Sequence, residues 1–107
     1  MPPKPVGQPR FSAAADVPLT GNAGEDVFAW QLFKRAGDQI MVLAVEISAG
    51  SFGLRFDAEG ADRETFTATS EKEVGIGDLS VGLHTARIVA LATTSTLGLV
   101  EAHVSGK

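Results

Sequence analysis

The residues able to carry chemistry are few in this sequence and are scattered along it. The two histidines, His84 and His103, have no acidic partner at a recognisable metal-binding or catalytic spacing. The chain has no cysteine, which excludes disulfides, thiolate metal ligands and cysteine nucleophiles. No serine stands in the Gly-x-Ser-x-Gly pattern of a nucleophile elbow. We therefore predict a protein that is not an enzyme.

One predicted turn concentrates acidic side chains, which are Asp57, Glu59, Asp62 and Glu64. The first three could hold Ca²⁺, a cation that takes six to eight oxygen ligands from carboxylates and carbonyls in a flexible loop. Calcium is the only cofactor that the sequence suggests. The alternative interpretation is a solvated turn that Arg55 and Arg63 partly neutralise.

The single tryptophan, Trp30, has two interpretations with different consequences. Packed with Phe28 and Leu32, it would anchor the core of the domain. Exposed, it would be a platform for a sugar or a protein, because the apolar face of a pyranose packs on an aromatic ring. On that second interpretation Arg55 and His103 are the other candidate ligand-binding residues.

Short alternating segments between glycine-containing and acidic turns predict the elements that carry these residues. In the segment 51–57, Phe52, Leu54 and Phe56 point to one face, which is typical of a strand with one buried side. It should form a hairpin with residues 64–69, where Phe66 and Ala68 point inward. We count six or seven strands and predict an all-β, antiparallel β-sandwich.

Three further segments complete the predicted sandwich. Residues 27–33 alternate as a strand, and residues 39–47 are apolar on both faces, so this strand should lie centrally and be covered on both sides. The strand 84–92 places His84 on the face of Ala86 and Ile88, which predicts a half-buried histidine with satisfied hydrogen bonds. The last strand is expected at residues 97–104.

The N-terminus differs in composition from the rest of the chain. Four of the five prolines lie in the first ten residues, where they favour an extended, polyproline-like backbone. We predict an arm and lead-in at residues 1–24 and the sandwich at residues 25–107. The arm is either a loose tail or a segment that docks on a neighbouring subunit through Pro2, Pro3, Lys4, Pro5, Pro9 and Arg10.

Net charge and hydropathy exclude several partners. The formal charge is −4 and the basic residues are dispersed, so a nucleic-acid partner is not expected. The longest apolar run, residues 40–45, is far shorter than the roughly 20 residues of a membrane-spanning helix. No apolar segment resembles a signal peptide, so we expect synthesis and retention in the cytoplasm, or incorporation into a particle.

Residues 39–104 resemble the later part of a jelly-roll carbohydrate-binding module of the kind appended to glycoside hydrolases. The most specific feature is LSVGLHTARI at residues 79–88, similar to a turn-and-strand phrase of those modules. The strand 52–57 before an acidic glycine turn, and the closing strand after a polar loop, add to it. Small β-sandwich decoration, fibre and spike domains of phage particles are also similar. The resemblance implies a jelly-roll fold.

Two main hypotheses follow. The first is a non-catalytic structural protein of a virion surface, held to neighbouring subunits, as a homo-oligomer, by its arm and sandwich faces. The second is a carbohydrate-binding module that recognises a surface glycan, although the chain has no tyrosine and one tryptophan to serve as sugar platforms. A small enzyme ranks behind both.

Overall fold

The computed structural model describes residues 10–15 and 19–106, which form nine β-strands. In chain order they are β1 (Arg10–Ala15), β2 (Leu19–Gly21), β3 (Asp26–Lys34), β4 (Ile40–Ala49), β5 (Phe52–Phe56), β6 (Glu64–Phe66), β7 (Ser70–Gly75), β8 (Gly82–Ala90) and β9 (Ser95–Ser105). In this part of the chain there is no helix with the length and apolar character needed to cross a membrane. The predicted all-β class is confirmed.

The strands form two antiparallel sheets. Sheet A has the order β1-β9-β4-β7, and the short β2 also pairs with β9, beyond the end of β1. Sheet B has the order β3-β8-β5-β6. From β2 to β9 each connection crosses from one sheet to the other, except the hairpin between β5 and β6. Sequence neighbours therefore seldom pair, and most contacts in the fold are long-range.

The core lies between the two sheets. Successive side chains of a strand point to opposite faces of its sheet, so every second residue points into the core. In β5, Phe52, Leu54 and Phe56 are completely buried, as their alternation predicts. They meet alternate residues of sheet A and of β8, among which are Met41, Leu43, Val45, Ala86, Ile88, Leu97, Val100, Ala102 and Val104. Burying large apolar side chains at about 25 cal/mol per Å² is the main contribution to stability in such a fold.

The predicted β5–β6 hairpin is confirmed by pairing of Phe52 with Phe66 and of Leu54 with Glu64. The inward position predicted for Ala68 is wrong, because β6 ends at Phe66 and Ala68 is exposed in the crossing to β7. The predicted number of strands is too low, since β1 and β2 also pair with β9. These two strands precede residue 25, where the sequence predicts the sandwich to begin.

The predicted central position of β4 is confirmed, because β4 pairs with β9 on one side and with β7 on the other. Its inward residues Met41, Leu43 and Val45 are buried. Its outward residues Val42 and Ala44 are only half-buried. No third layer of described residues packs on this side, so coverage of both faces is not seen within the part of one chain that the structure describes.

One end of the sandwich gathers the start of β1 and the loop between β3 and β4. Arg10 pairs with Val104, and the backbone N–H of Gln39 donates to the carbonyl of Ser105. The other predicted arm residues, Pro2, Pro3, Lys4, Pro5 and Pro9, lie outside the described ranges. Arg10 is the first residue of β1, so the polypeptide enters sheet A at this end.

The turn from β4 to β5 depends on a glycine. Gly50 has a φ of +75° and lies against Ser95, whose Cα would be 2.7 Å from an added Cβ. Ser95 is fully buried, and its Oγ accepts a hydrogen bond from the N–H of Ser51 and donates one to the carbonyl of Ala92. A side chain at Gly50 would displace this buried bridge between the two sheets.

Candidate functional site

The main cluster of polar side chains lies where β5 ends beside β8. Asp57 follows β5 directly and adopts a left-handed φ of 54°, a conformation that aspartate tolerates better than most residues. Its N–H donates to the carbonyl of Thr85 at 2.7 Å, and its Oδ1 accepts from the N–H of Thr85 at 2.9 Å. Asp57 thus prolongs the pairing of β5 with β8 by one residue.

The second oxygen of Asp57 binds His84. Nδ1 of His84 lies 2.6 Å from Oδ2 of Asp57, and Nε2 lies 2.7 Å from the carbonyl oxygen of Ser80. The His84 side chain is 11% exposed, which confirms the predicted half-buried and satisfied histidine. The hydrogen bond to Asp57 and then the bond to Ser80 raise the pKa of His84, and the His84 bond lowers the pKa of Asp57.

Ser80, His84 and Asp57 have the composition of a catalytic triad but differ from one in hydrogen bonding. In a triad the unprotonated Nε2 accepts the serine proton. Here the closest neighbour of Nε2 is a carbonyl oxygen at 2.7 Å, whereas Oγ of Ser80 is 3.4 Å away. A carbonyl accepts only, so Nε2 carries a proton and donates it. The arrangement holds the turn before β8 in place and does not activate a serine.

Arg87 connects this turn to the rest of sheet B. Its Nε donates to the carbonyl of Asp57 at 2.8 Å, and its Nη2 donates to the carbonyl of Glu59 at 2.8 Å. Its Nη1 forms an ion pair with Asp26 at 3.0 Å. Residues 84–87 therefore hold the loop after β5 through the side chains of His84 and Arg87 and the backbone of Thr85.

A second arginine closes the same loop from the other side. Nε and Nη2 of Arg63 donate to the two carboxylate oxygens of Glu59 at 2.7–3.0 Å, and its Nη1 and Nη2 reach the carboxylate of Asp78 at 2.8 and 2.9 Å. The guanidinium also stacks 5.3 Å from the ring centroid of Phe56. These bonds lower the pKa of Glu59 and Asp78 and raise that of Arg63.

The three carboxylates predicted as calcium ligands bind three different cations. Asp57 binds His84, Glu59 binds Arg63, and Asp62 binds Nε of Arg55 at 2.7 Å. This agrees with the alternative interpretation, in which Arg55 and Arg63 neutralise an acidic turn. Within residues 19–106 there is no group of three or more histidine, aspartate or glutamate side chains that could hold a metal ion.

The three candidate ligand-binding residues do not come together. Trp30 faces inward, is half-buried, packs against the core and lies 5.3 Å from Phe28 between ring centroids. Arg55 lies on the outer face of sheet B. His103 lies on the outer face of sheet A, where its Nε2 is 3.1 Å from Oε1 of Glu101. The position of Trp30 agrees with its interpretation as a core residue.

One apolar feature of the surface was not predicted from the sequence. Phe33, Val81 and Leu83 are 54%, 60% and 63% exposed, and Phe33 pairs directly with Leu83 across β3 and β8. We call Phe33 and Leu83 the Phe33 patch, and Val81 precedes Leu83 by two residues in the chain. The alternation of β3 could have predicted this exposure. Phe33 has the opposite parity to Trp30 and Leu32, so it must point away from the core.

No protein family, no curated protein and no solved structure matches this chain.

Proposed function

We propose that this chain is a non-catalytic assembly protein with a jelly-roll fold, and that it serves as a homo-oligomeric subunit of a virion surface. The observation that carries the assembly role is the Phe33 patch. Exposed apolar clusters on small domains mark protein contact sites, because leaving such surface in water is unfavourable. Aromatic and aliphatic side chains of this kind form the anchors of protein interfaces.

The strand order supports the jelly-roll part of the proposal. If β1 and β2 count as one interrupted strand, eight strands form two four-stranded sheets with the sequence orders 1-8-3-6 and 2-7-4-5. This order agrees with a jelly roll, an arrangement of two Greek keys that is found in viral capsid and lectin domains. The assignment to a virion is an analogy at the level of the fold and of the small-domain resemblance.

The polar cluster supports a role without catalysis. His84 donates both ring protons to acceptors, and the carboxylates of Glu59 and Asp62 are paired with arginines. These groups have structural partners in the loop after β5. None of these contacts holds a base beside a nucleophile, which general base catalysis would require.

Carbohydrate recognition is the second candidate, because the same strand order occurs in lectin domains. It would need an aromatic platform, and Trp30 faces inward. A glycan panel read by binding and by Trp30 fluorescence separates the two functions. Saturable sugar binding by a monomeric chain would favour recognition over assembly.

The assembly proposal is tested by sedimentation velocity over a wide range of protein concentrations. We expect the wild type to self-associate and Phe33→Ser with Leu83→Ser to weaken that association while keeping the melting temperature. Exposed Thr65→Ser and Gln31→Ser on the same sheet form the matched control. A wild type that stays monomeric at all concentrations contradicts the proposal.

The neighbouring genes test the virion assignment separately. Capsid and tail genes beside this one would support that assignment, and hydrolase genes would favour sugar binding.

A further inference from the structure

The outer face of sheet A has a short apolar stripe on β4 with glutamates around it. Val42 and Ala44 of the central β4 point outward and are half-buried, and Leu99 of β9 is 36% exposed. The residues around this stripe are Glu46, Glu71, Glu73 and Glu101, all exposed. Val42 pairs with Glu73 on one side and with His103 on the other, and Ala44 pairs with Glu71 and Glu101.

No lysine or arginine lies at the outward positions of β4, β7 and β9 in the described chain. Lys72, the only basic residue of β7, has the opposite parity. It pairs with the inward Leu43, and its Nζ lies 5.3 Å from the ring centroid of Phe66. Of the four glutamates, Glu101 lies beside His103 on β9, with 3.1 Å between Oε1 and Nε2. At the described outward positions of β4 and β7, no lysine or arginine accompanies Glu46, Glu71 and Glu73.

The arm has the complementary chemistry. Residues 1–9 contain Lys4 and no acidic residue, so residues 10–107 have eight basic against thirteen acidic side chains and a formal charge of −5. Prolines add apolar rings without N–H donors, and proline-rich segments bind apolar surfaces in an extended form that loses little entropy. A positive, proline-rich peptide fits an apolar stripe between glutamates.

We propose that residues 1–9 of one copy bind across the outer face of sheet A of a second copy. The prolines and Val6 would cover the Val42–Ala44 stripe, and Lys4 would pair with the glutamates of β7. This inference rests on the proposed assembly function and adds a second contact, on sheet A, to that of the Phe33 patch on sheet B. Strand β4 is apolar on both faces, but within the described part of one chain only its inner face is covered. Residues 1–9 of a second copy would cover the outer face.

The reach of the segment is sufficient. Nine residues in polyproline conformation span about 28 Å at roughly 3.1 Å per residue. Four strands spaced by about 4.8 Å span roughly 14 Å. The chain enters β1 at the end of the sandwich, where Arg10 pairs with Val104. Proline-rich segments are stiff and fold back on their own chain less readily than flexible ones, which favours a neighbouring copy as the partner.

The test is sedimentation equilibrium of four forms of the full chain. They are the wild type, the form lacking residues 1–9, Glu71→Gln with Glu73→Gln, and Thr65→Lys with Thr67→Lys. The last form adds the same charge of +2 on exposed positions at and just after β6, so it controls for net charge. We expect the deletion to raise the dissociation constant at least about tenfold and the glutamine pair about threefold to tenfold. The control should match the wild type.

An exchange of charge between Lys4 and Glu73 tests whether these two residues contact each other. Lys4→Glu alone should weaken association, and Lys4→Glu with Glu73→Lys in one chain should restore it. If the wild type associates but neither the deletion nor the glutamine pair changes the dissociation constant, the arm contact is overturned and assembly stands. If the wild type is monomeric throughout, both proposals fail. If the deletion changes the NMR shifts of Val42 in a monomeric sample, the arm binds its own face, which also overturns the inference.

Discussion

Nδ1 of His84 is 2.6 Å from Oδ2 of Asp57, while Nε2 of the same ring is 2.7 Å from the carbonyl oxygen of Ser80. Neither acceptor can donate a hydrogen bond, so only the doubly protonated imidazole satisfies both. Loss of the proton leaves one ring nitrogen facing an acceptor lone pair. The contact between β8 and the loop after β5 is therefore sensitive to pH.

The first prediction concerns stability against pH. The pKa of His84 is raised above its ordinary 6.5, so its contribution is complete below pH 6.5 and is lost as the pH rises through the raised value. The pKa of Asp57 is lowered below 3.8, so its contribution is complete above pH 3.8 and is lost as the pH falls through the lowered value. The window of full stabilisation is about pH 4 to 6.5.

Urea unfolding of the wild type and of His84→Gln measures this window. At pH 5.5 we expect His84→Gln to lower the free energy of unfolding by about 1–2 kcal/mol, the low end for a charged hydrogen bond because Asp57 is 46% exposed. The difference should shrink as the pH rises above 6.5. His103→Gln controls for the loss of a histidine. A His84→Gln difference that is constant or grows with pH would contradict the assignment.

The second prediction concerns Arg63, which binds Glu59 and Asp78 through paired bonds and stacks on Phe56. Lysine keeps the charge but cannot form the planar fork. We expect Arg63→Lys to lower the free energy of unfolding by about 1–2 kcal/mol, measured by urea unfolding at neutral pH. Arg35→Lys, at an exposed position, should change it by less than about 0.5 kcal/mol. Equal effects of the two substitutions would refute a special role for Arg63.

The third prediction concerns the turn at Gly50. Alanine there combines a left-handed φ with overlap onto the backbone and side chain of Ser95, so we expect Gly50→Ala to cost about 3 kcal/mol or more. Gly60→Ala is the control, because an added Cβ at Gly60 meets nothing within 4 Å. Thermal melting followed by circular dichroism compares the two variants. A Gly50→Ala protein that melts like the control would mean that this turn relaxes freely.

The fourth prediction separates the core from the surface among the aromatic residues of β3. Trp30→Ala removes a half-buried ring packed on Phe28 and the core, and we expect a loss of about 3 kcal/mol. Phe33→Ala removes a side chain that is 54% exposed, and we expect a loss below about 1 kcal/mol. Urea unfolding followed by circular dichroism measures both. Unchanged stability of Trp30→Ala would return Trp30 to the role of a surface platform.

Strands in which every second residue is apolar could be predicted, because those alternate residues are the ones that the core buries. Phe52, Leu54 and Phe56 illustrate this, as does the parity that places Val100 and Val104 inward. Strand β1 escaped prediction since its sequence is rich in alanine, which has weak strand preference. Most of β7 escaped because its composition, SEKEV, is that of a charged edge strand.

In the candidate site, only the contacts between residues close in sequence could be predicted. An acidic turn with Arg55 and Arg63 nearby can be seen in the sequence, and the structure joins Arg55 to Asp62 and Arg63 to Glu59. The bond between Asp57 and His84 joins residues 27 positions apart. Pairing over such a distance depends on the register of β5 against β8, which period and composition do not determine.

The pairing of Arg10 with Val104 also determines how the domain would respond to mechanical tension. Strands β1 and β9 are antiparallel, so a pull between residue 10 and residue 105 acts at the same end of both strands. Their hydrogen bonds would then open one after another, as in unzipping, and would not break together under shear. Because β9 is also bonded along its length to β4, β1 should detach first and leave the remaining sandwich folded.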